Sequence, residues 1–121
     1  AATCFFVSQF ILEKKARIEF FNQISKRLKS QGILVSSDLV ADTFSQSYPD
    51  LLELWMSVMS EADLDELALQ KMKKAYETDV AVLPSETVKT IIAAGGFDNP
   101  IRFYQAGMVQ AFLAWRSKAV D

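Results

Sequence analysis

Residues 20–39, FFNQISKRLKSQGILVSSDL, limit the fold more than any other stretch of the chain. Phe20, Phe21, Ile24 and Leu28 recur at helical spacing, and Lys26, Arg27 and Lys29 gather where the carbonyl end of a helix favours cations. Gly32 is suited to the positive φ of a helix C-cap, and Ile33, Leu34 and Val35 then form a strand too apolar to have a wet face. A helix that enters a buried strand through a tight loop is half of a βαβ unit. The sequence therefore predicts an α/β fold with parallel strands covered by helices. The partner strand is expected upstream, and AATCFFV at residues 1–7 supplies it, separated from residue 33 by the length of a parallel crossover. A central strand needs neighbours on both sides. A chain that opens inside one is thus expected to have lost preceding sequence.

Composition narrows the chemistry. The 121 residues, half of them hydrophobic, can bury a core, and 13 basic against 15 acidic side chains leave a formal charge of −2. No global field recruits nucleic acid. Cys4 is the only cysteine and there is no histidine, which excludes an internal disulfide, a cysteine-clustered metal site, a Ser-His-Asp triad and a Cys-His pair. No metal is expected. No apolar run reaches the roughly 20 residues of a membrane span. A soluble protein of the reducing cytoplasm is expected, without membrane or nucleic-acid partners.

Beyond residue 40 the polar TFSQSY reads as a loop, and Pro49 suits the first turn of a helix continued by Leu51, Leu52, Leu54, Trp55, Val58 and Met59. A second helix over residues 63–77 offers Leu64, Leu67, Met72 and Ala75 to a core, with Asp63, Asp65 and Glu66 at its start and Lys71, Lys73 and Lys74 later. This pair is an insertion after the second strand. Its large apolar side chains serve core packing, cover a site or dock on another subunit. Residues 80–83 form an extended link, Ser85 is placed to cap a helix carrying Val88, Ile91 and Ile92, and Gly95-Gly96 ends it. From Phe97 onward the chain reads as an antiparallel hairpin with Gly107 near its turn and residues 109–115 as the return strand.

The order strand, helix, KRLKSQGILVSSD, inserted helices, LPSETVKTIIAAGGF and IRFYQAGMVQAFLAWR resembles the C-terminal half of a class I S-adenosylmethionine-dependent methyltransferase. In that family a helix ends in an L-x-P-G-G-x-L turn before the fifth strand, and a later helix ends in A-G-F before an antiparallel hairpin. Leu28 through Leu34 matches the first feature, with Ser30 and Gln31 in place of Pro-Gly, and Ala94-Gly95-Gly96-Phe97 matches the second with one extra glycine. Gln9-Phe10-Ile11 and the inserted helices look closest to the carboxy-S-adenosylmethionine synthase-like branch. The resemblance implies a Rossmann-like sheet of parallel strands, inserted helices and a terminal hairpin. It further implies that residues 1–121 are one partial domain lacking the cofactor-binding N-terminal half, since no G-x-G pattern occurs in them. The whole parent would use S-adenosylmethionine on a small-molecule acceptor, and this part alone would be inactive.

Ligands in open α/β sheets sit beyond the carboxyl ends of the strands. The resemblance places Phe6, Val7 and Ser8 against the cofactor; read otherwise, Phe6 is core and Ser8 opens a helix. Asp38, closing the second strand, is the candidate catalytic carboxylate or a solvated strand terminator. Gln9, Tyr104 and Gln105 are candidates for substrate binding, with Tyr76 and Asp79 as further polar groups near an acceptor pocket. Cys4 reads as an inert core thiol, and Lys26, Arg27 and Lys29 as partners of the helix end. The competing reading is a non-catalytic α/β module that self-associates through the inserted helices and an open sheet edge. On either reading a homo-oligomer is expected.

Overall fold

The computed structural model describes residues 1–61 and 65–118. Strand β1 (Ala2–Phe5) leads through a single 3-10 turn (Ser8–Phe10) to helix α1 (Lys14–Arg27) and strand β2 (Ile33–Leu39). Helices α2 (Tyr48–Ser60), α3 (Glu66–Thr78) and α4 (Ser85–Ala94) follow, and the hairpin β3 (Phe97–Ala106) and β4 (Val109–Arg116) closes the described chain. The expected β1 is shorter than AATCFFV because Phe6 takes a left-handed φ of 57°, which no strand continues through. Asp63 and Leu64, expected at the start of the second inserted helix, lie outside the described residues; Asp65 caps α3 by accepting from the Ala68 amide at 2.7 Å.

The sheet runs β1-β2-β4-β3. β1 pairs β2 in parallel, Cys4 against Ser36, so the predicted βαβ unit is present. β4 then runs antiparallel beside β2, with Ser36 opposite Phe112 and Asp38 opposite Gln110, and β3 lies outside it with two register irregularities. The architecture is α/β with a mixed sheet, and the antiparallel hairpin inserts its second strand against the parallel pair. Alternation sends Leu34, Ser36 and Asp38 to one face, and there Phe21 of α1 and Val88, Ile91 and Ile92 of α4 meet Leu34, Phe97, Phe112 and Ala114 in the core. The other face carries Phe5, Ile33 and Ile101, each more than two-fifths exposed.

Two turn assignments change. Gln31, with φ 62°, takes the left-handed position expected of Gly32. Gly32 is required for space instead: a Cβ there would stand 2.9 Å from the Lys29 carbonyl oxygen and 3.1 Å from the Leu28 Cβ, where the loop is pinned by exchange of hydrogen bonds with Arg116. Ser85 is the first residue of α4, whose N-cap is Pro84; no side chain caps that helix. Its missing amide partners are tolerated at an exposed start.

Helices α2 and α3 bury no residue completely. They hold one another through the Trp55 indole, which donates to the Tyr76 hydroxyl at 2.7 Å. α2 also leans on the hairpin turn, where Leu54, Trp55 and Val58 face Gly107 and Met108 across a cleft of about 230 Å³.

Candidate functional site

The carboxyl ends of β1 and β2 meet over a buried polar cluster. Asp38 extends from β2 toward the α1 face, where the Ser8 hydroxyl donates to its Oδ2 and the Gln9 amide donates to its Oδ1 at 2.9 Å. Arg17 reaches in from α1, with Nη2 3.4 Å from the same Oδ2 and 3.1 Å from the Ser8 Oγ, and Nη1 donating to the Ala81 carbonyl at 3.2 Å. The Gln9 side chain accepts from the Leu39 amide at 2.8 Å, and its carbonyl accepts from the Ala81 amide at 2.7 Å. One guanidinium and one carboxylate thus tie together the turn after β1, the end of β2 and the link after α3. Asp38 and Ser8 are wholly buried, Arg17 1% exposed and Gln9 4%.

Burial pushes the Asp38 carboxyl above the usual carboxylate range, opposed by the Ser8 hydroxyl, the Arg17 charge and the Gln9 amide. Burial also lowers the Arg17 guanidinium, against the pull of Asp38, but an arginine keeps its proton in any folded protein. Arg17 and Asp38 thus form a buried ion pair in which Ser8 and Gln9 fill the carboxylate and Ser8 and Ala81 take the terminal guanidinium nitrogens, while Arg17 Nε has no hydrogen-bond partner among the described residues. Cys4, below the cluster on the same face, is raised mainly by burial and then by the Asp38 charge, so its thiol stays protonated and unreactive.

The expected residues separate into three groups. Ser8, Gln9 and Asp38 come together, but inside the protein: the rim position expected for Asp38 is corrected by its complete burial, and Gln9 spends its polar groups on backbone partners. Phe6 and Val7 do stand at the surface, 39% and 47% exposed, and with Phe10 they form an apolar lip beyond the end of β1. Phe6 is held in its left-handed conformation by an amide donated to the Ser37 carbonyl at 2.8 Å. Tyr104 and Gln105 lie on β3, at the opposite edge of the sheet from β1, and are not brought to this cluster. Tyr76 lines a separate cleft with Tyr48 and Glu77, bordering Ala81. Among the described residues no group of histidine, cysteine, aspartate and glutamate could hold a metal ion, and no helix is long and apolar enough to cross a membrane.

Arg17 is the residue that sequence patterning passed over. It sits four residues before Phe21, on the buried stripe of α1, while Asp38 ends an otherwise apolar strand. Opposite charges on two stripes that both face the core were the available signal.

No protein-family profile matches the sequence, and no curated protein matches it. Solved structures do match the fold. A possible exported protein from Bordetella parapertussis superposes on 95% of this chain with a TM-score of 0.61 at 17% identity. PigF with SAH superposes on 94% with a TM-score of 0.58 at 13% identity. An O-methyltransferase family 2 protein from Planctomyces limnophilus, in complex with apigenin, superposes on 94% with a TM-score of 0.59 at 11% identity. The chain is α/β with the sheet of a Rossmann-like methyltransferase fold. It spans 38%, 29% and 29% of the length of these three proteins.

Proposed function

We propose that these residues form the C-terminal part of an S-adenosylmethionine-dependent methyltransferase acting on a small molecule, and that the part is inactive alone. The observation that carries this reading is the sheet order β1-β2-β4-β3, a parallel pair with the return strand of a hairpin laid antiparallel beside it. The fold built on that sheet superposes over 94% of the chain on PigF with SAH and on an O-methyltransferase family 2 protein. SAH is what S-adenosylmethionine becomes once its methyl carbon has bonded to a nucleophile and the carbon–sulfur bond has broken. Such a transfer asks chiefly for alignment, which suits a chain without histidine.

This chain would offer the cofactor one wall, the exposed lip of Phe6, Val7 and Phe10. Ser8 supports that wall from beneath through Asp38, and Asp38 and Arg17 are positioning residues that fix where the lip stands. The resemblance around Gln9-Phe10-Ile11 points within the class to the carboxy-S-adenosylmethionine synthase-like branch. The glycine-rich loop belongs to sequence that would precede Ala1. Differential scanning fluorimetry tests the reading: S-adenosylmethionine at about 100 times its dissociation constant should raise the Tm of the full-length protein by about 2–8 °C and leave residues 1–121 unmoved. No rise in the full-length protein, or no glycine-rich strand-loop-helix ahead of Ala1, would sink it.

A second reading, a self-associating module, is favoured by the outer edge of β1, which pairs with no described strand, and by the exposed Phe5, Ile33 and Ile101 on the face away from α1 and α4. Light scattering on residues 1–121 should then report a dimer or larger species at about 50 μM, a concentration chosen for the weak association an interface below standard size gives. A monomer at that concentration excludes it.

A further inference from the structure

A cleft outside the buried cluster is lined by residues that include Tyr48, Tyr76, Glu77 and Ala81. It encloses about 380 Å³, between the first turn of α2, the last turn of α3 and the extended link that follows α3. Its position is fixed from two sides. The Ala81 carbonyl accepts from Arg17 at 3.2 Å and its amide donates to Gln9 at 2.7 Å, so the floor of the cleft is tied to the buried cluster at the carboxyl ends of the strands. Tyr76 is held by the Trp55 indole at 2.7 Å, which occupies an acceptor site on the Tyr76 oxygen and orients the ring.

The lining combines two phenol side chains, Tyr48 and Tyr76, with the carboxyl side chain of Glu77. Tyr48 and Glu77 line the same cleft, and the Tyr48 phenol is raised first by burial and then by the Glu77 charge. Among the described residues no ion pair engages Glu77. Aromatic faces with an adjacent carboxylate attract an organic cation, because the ring quadrupole and the charge act in the same direction and the cation's alkyl groups pack on the rings. A cleft of about 380 Å³ suits a small molecule, not a peptide.

We infer that this cleft binds the ammonium group of a small organic cation between Tyr48 and Tyr76, with Glu77 as counter-ion. The inference does not rest on methyl transfer. For the proposed methyl transfer it makes an ammonium-bearing molecule the substrate class to try first, since Ala81, which lines the cleft, donates to the Gln9 carbonyl in the turn after β1.

Choline and its uncharged isostere 3,3-dimethylbutan-1-ol differ almost only in charge, so they separate cation recognition from simple apolar filling. Titrated into the described chain and followed by NMR at constant ionic strength, choline should shift the Tyr48 and Tyr76 ring resonances and bind about fivefold or more tightly than the isostere. Glu77→Gln, at an exposed position where folding is undisturbed, should remove most of that preference. Tyr48→Leu should weaken choline binding while its circular dichroism spectrum stays that of the unsubstituted chain. Equal binding of the two compounds, no shift of either ring at about 50 mM choline, well above the range expected of a weak cation site, or an unchanged preference in Glu77→Gln overturns the inference. None of these outcomes depends on S-adenosylmethionine, whose Tm effect on the full-length protein is read separately.

Discussion

Arg17→Met is expected to lower the unfolding free energy by about 3–5 kcal/mol, the loss found when one partner of a buried ion pair is removed. The size follows from what remains. Asp38 is wholly buried, and without the guanidinium its charge keeps only the Ser8 hydroxyl and the Gln9 amide as partners. The Ala81 carbonyl also loses its donor, loosening the link after α3. Because burial already raises the Asp38 carboxyl, removal of the nearby positive charge raises it further. The sign of the pH effect follows. A carboxyl whose folded pKa lies above its unfolded value binds protons more readily when folded, so stability falls as pH rises through that interval. The deficit of the variant should be largest at neutral pH and shrink at acidic pH, as Asp38 takes up a proton and has no charge left to bury. Urea unfolding at neutral and at acidic pH measures it. Adding Asp38→Asn to Arg17→Met should recover part of the loss, because a neutral amide can still accept from Ser8. A loss below about 1 kcal/mol, or one that does not change with pH, would show that the pair is not buried as described.

The same pair explains why the candidate site was only half legible in the sequence. Periodicity reports which face of an element is apolar, and it found the βαβ unit, α4 and the hairpin through residues such as Phe21, Leu34, Val88 and Phe112, and the inserted helices through Leu51, Leu54, Trp55, Leu67 and Met72. It does not report which buried faces touch. Arg17, Asp38 and Ala81 are separated by 21 and 64 residues along the chain, measured from Arg17, and they meet only because β1 and β2 are parallel and the link after α3 passes over their ends. Asp38 was therefore visible as a polar residue ending a strand, while its burial was not. The loop before β2 shows a related limit. A glycine at a helix end suggests a positive φ, yet here Gln31 takes that conformation and Gly32 is needed because the Lys29 carbonyl passes too close for a Cβ. Tyr104 and Gln105 stand near a hairpin turn in the sequence, but the sheet order, which local patterning does not report, puts β3 at the far edge from β1.

Phe21→Ala is the other substitution with a large expected effect, about 3–5 kcal/mol. Phe21 is completely buried, packs edge-to-face on Phe20 with ring centroids 5.3 Å apart, and joins α1 to the Leu34 and Phe112 face of the sheet. Its backbone end makes a second contact. A Cβ added at Gly95, where α4 ends, would stand 2.5 Å from the Phe21 Cβ, 3.2 Å from the Asn22 amide nitrogen and 3.2 Å from the Ile18 carbonyl oxygen. Gly95 has φ −77°, so it is not required for an unusual backbone conformation; it is required because α1 and α4 approach until no side chain fits between them. Gly95→Ala should cost about 1–3 kcal/mol through displacement of one helix from the other. The double variant distinguishes this account from ordinary loss of core volume. Alanine at position 21 keeps its Cβ, which is the atom that a residue at 95 would strike, so Phe21→Ala should not relieve Gly95→Ala and the two losses should add or exceed their sum in urea unfolding. Relief of the Gly95→Ala defect by Phe21→Ala would mean that α4 can shift into the vacated volume, and that the helix spacing is set by the phenyl ring and not by the backbone contact.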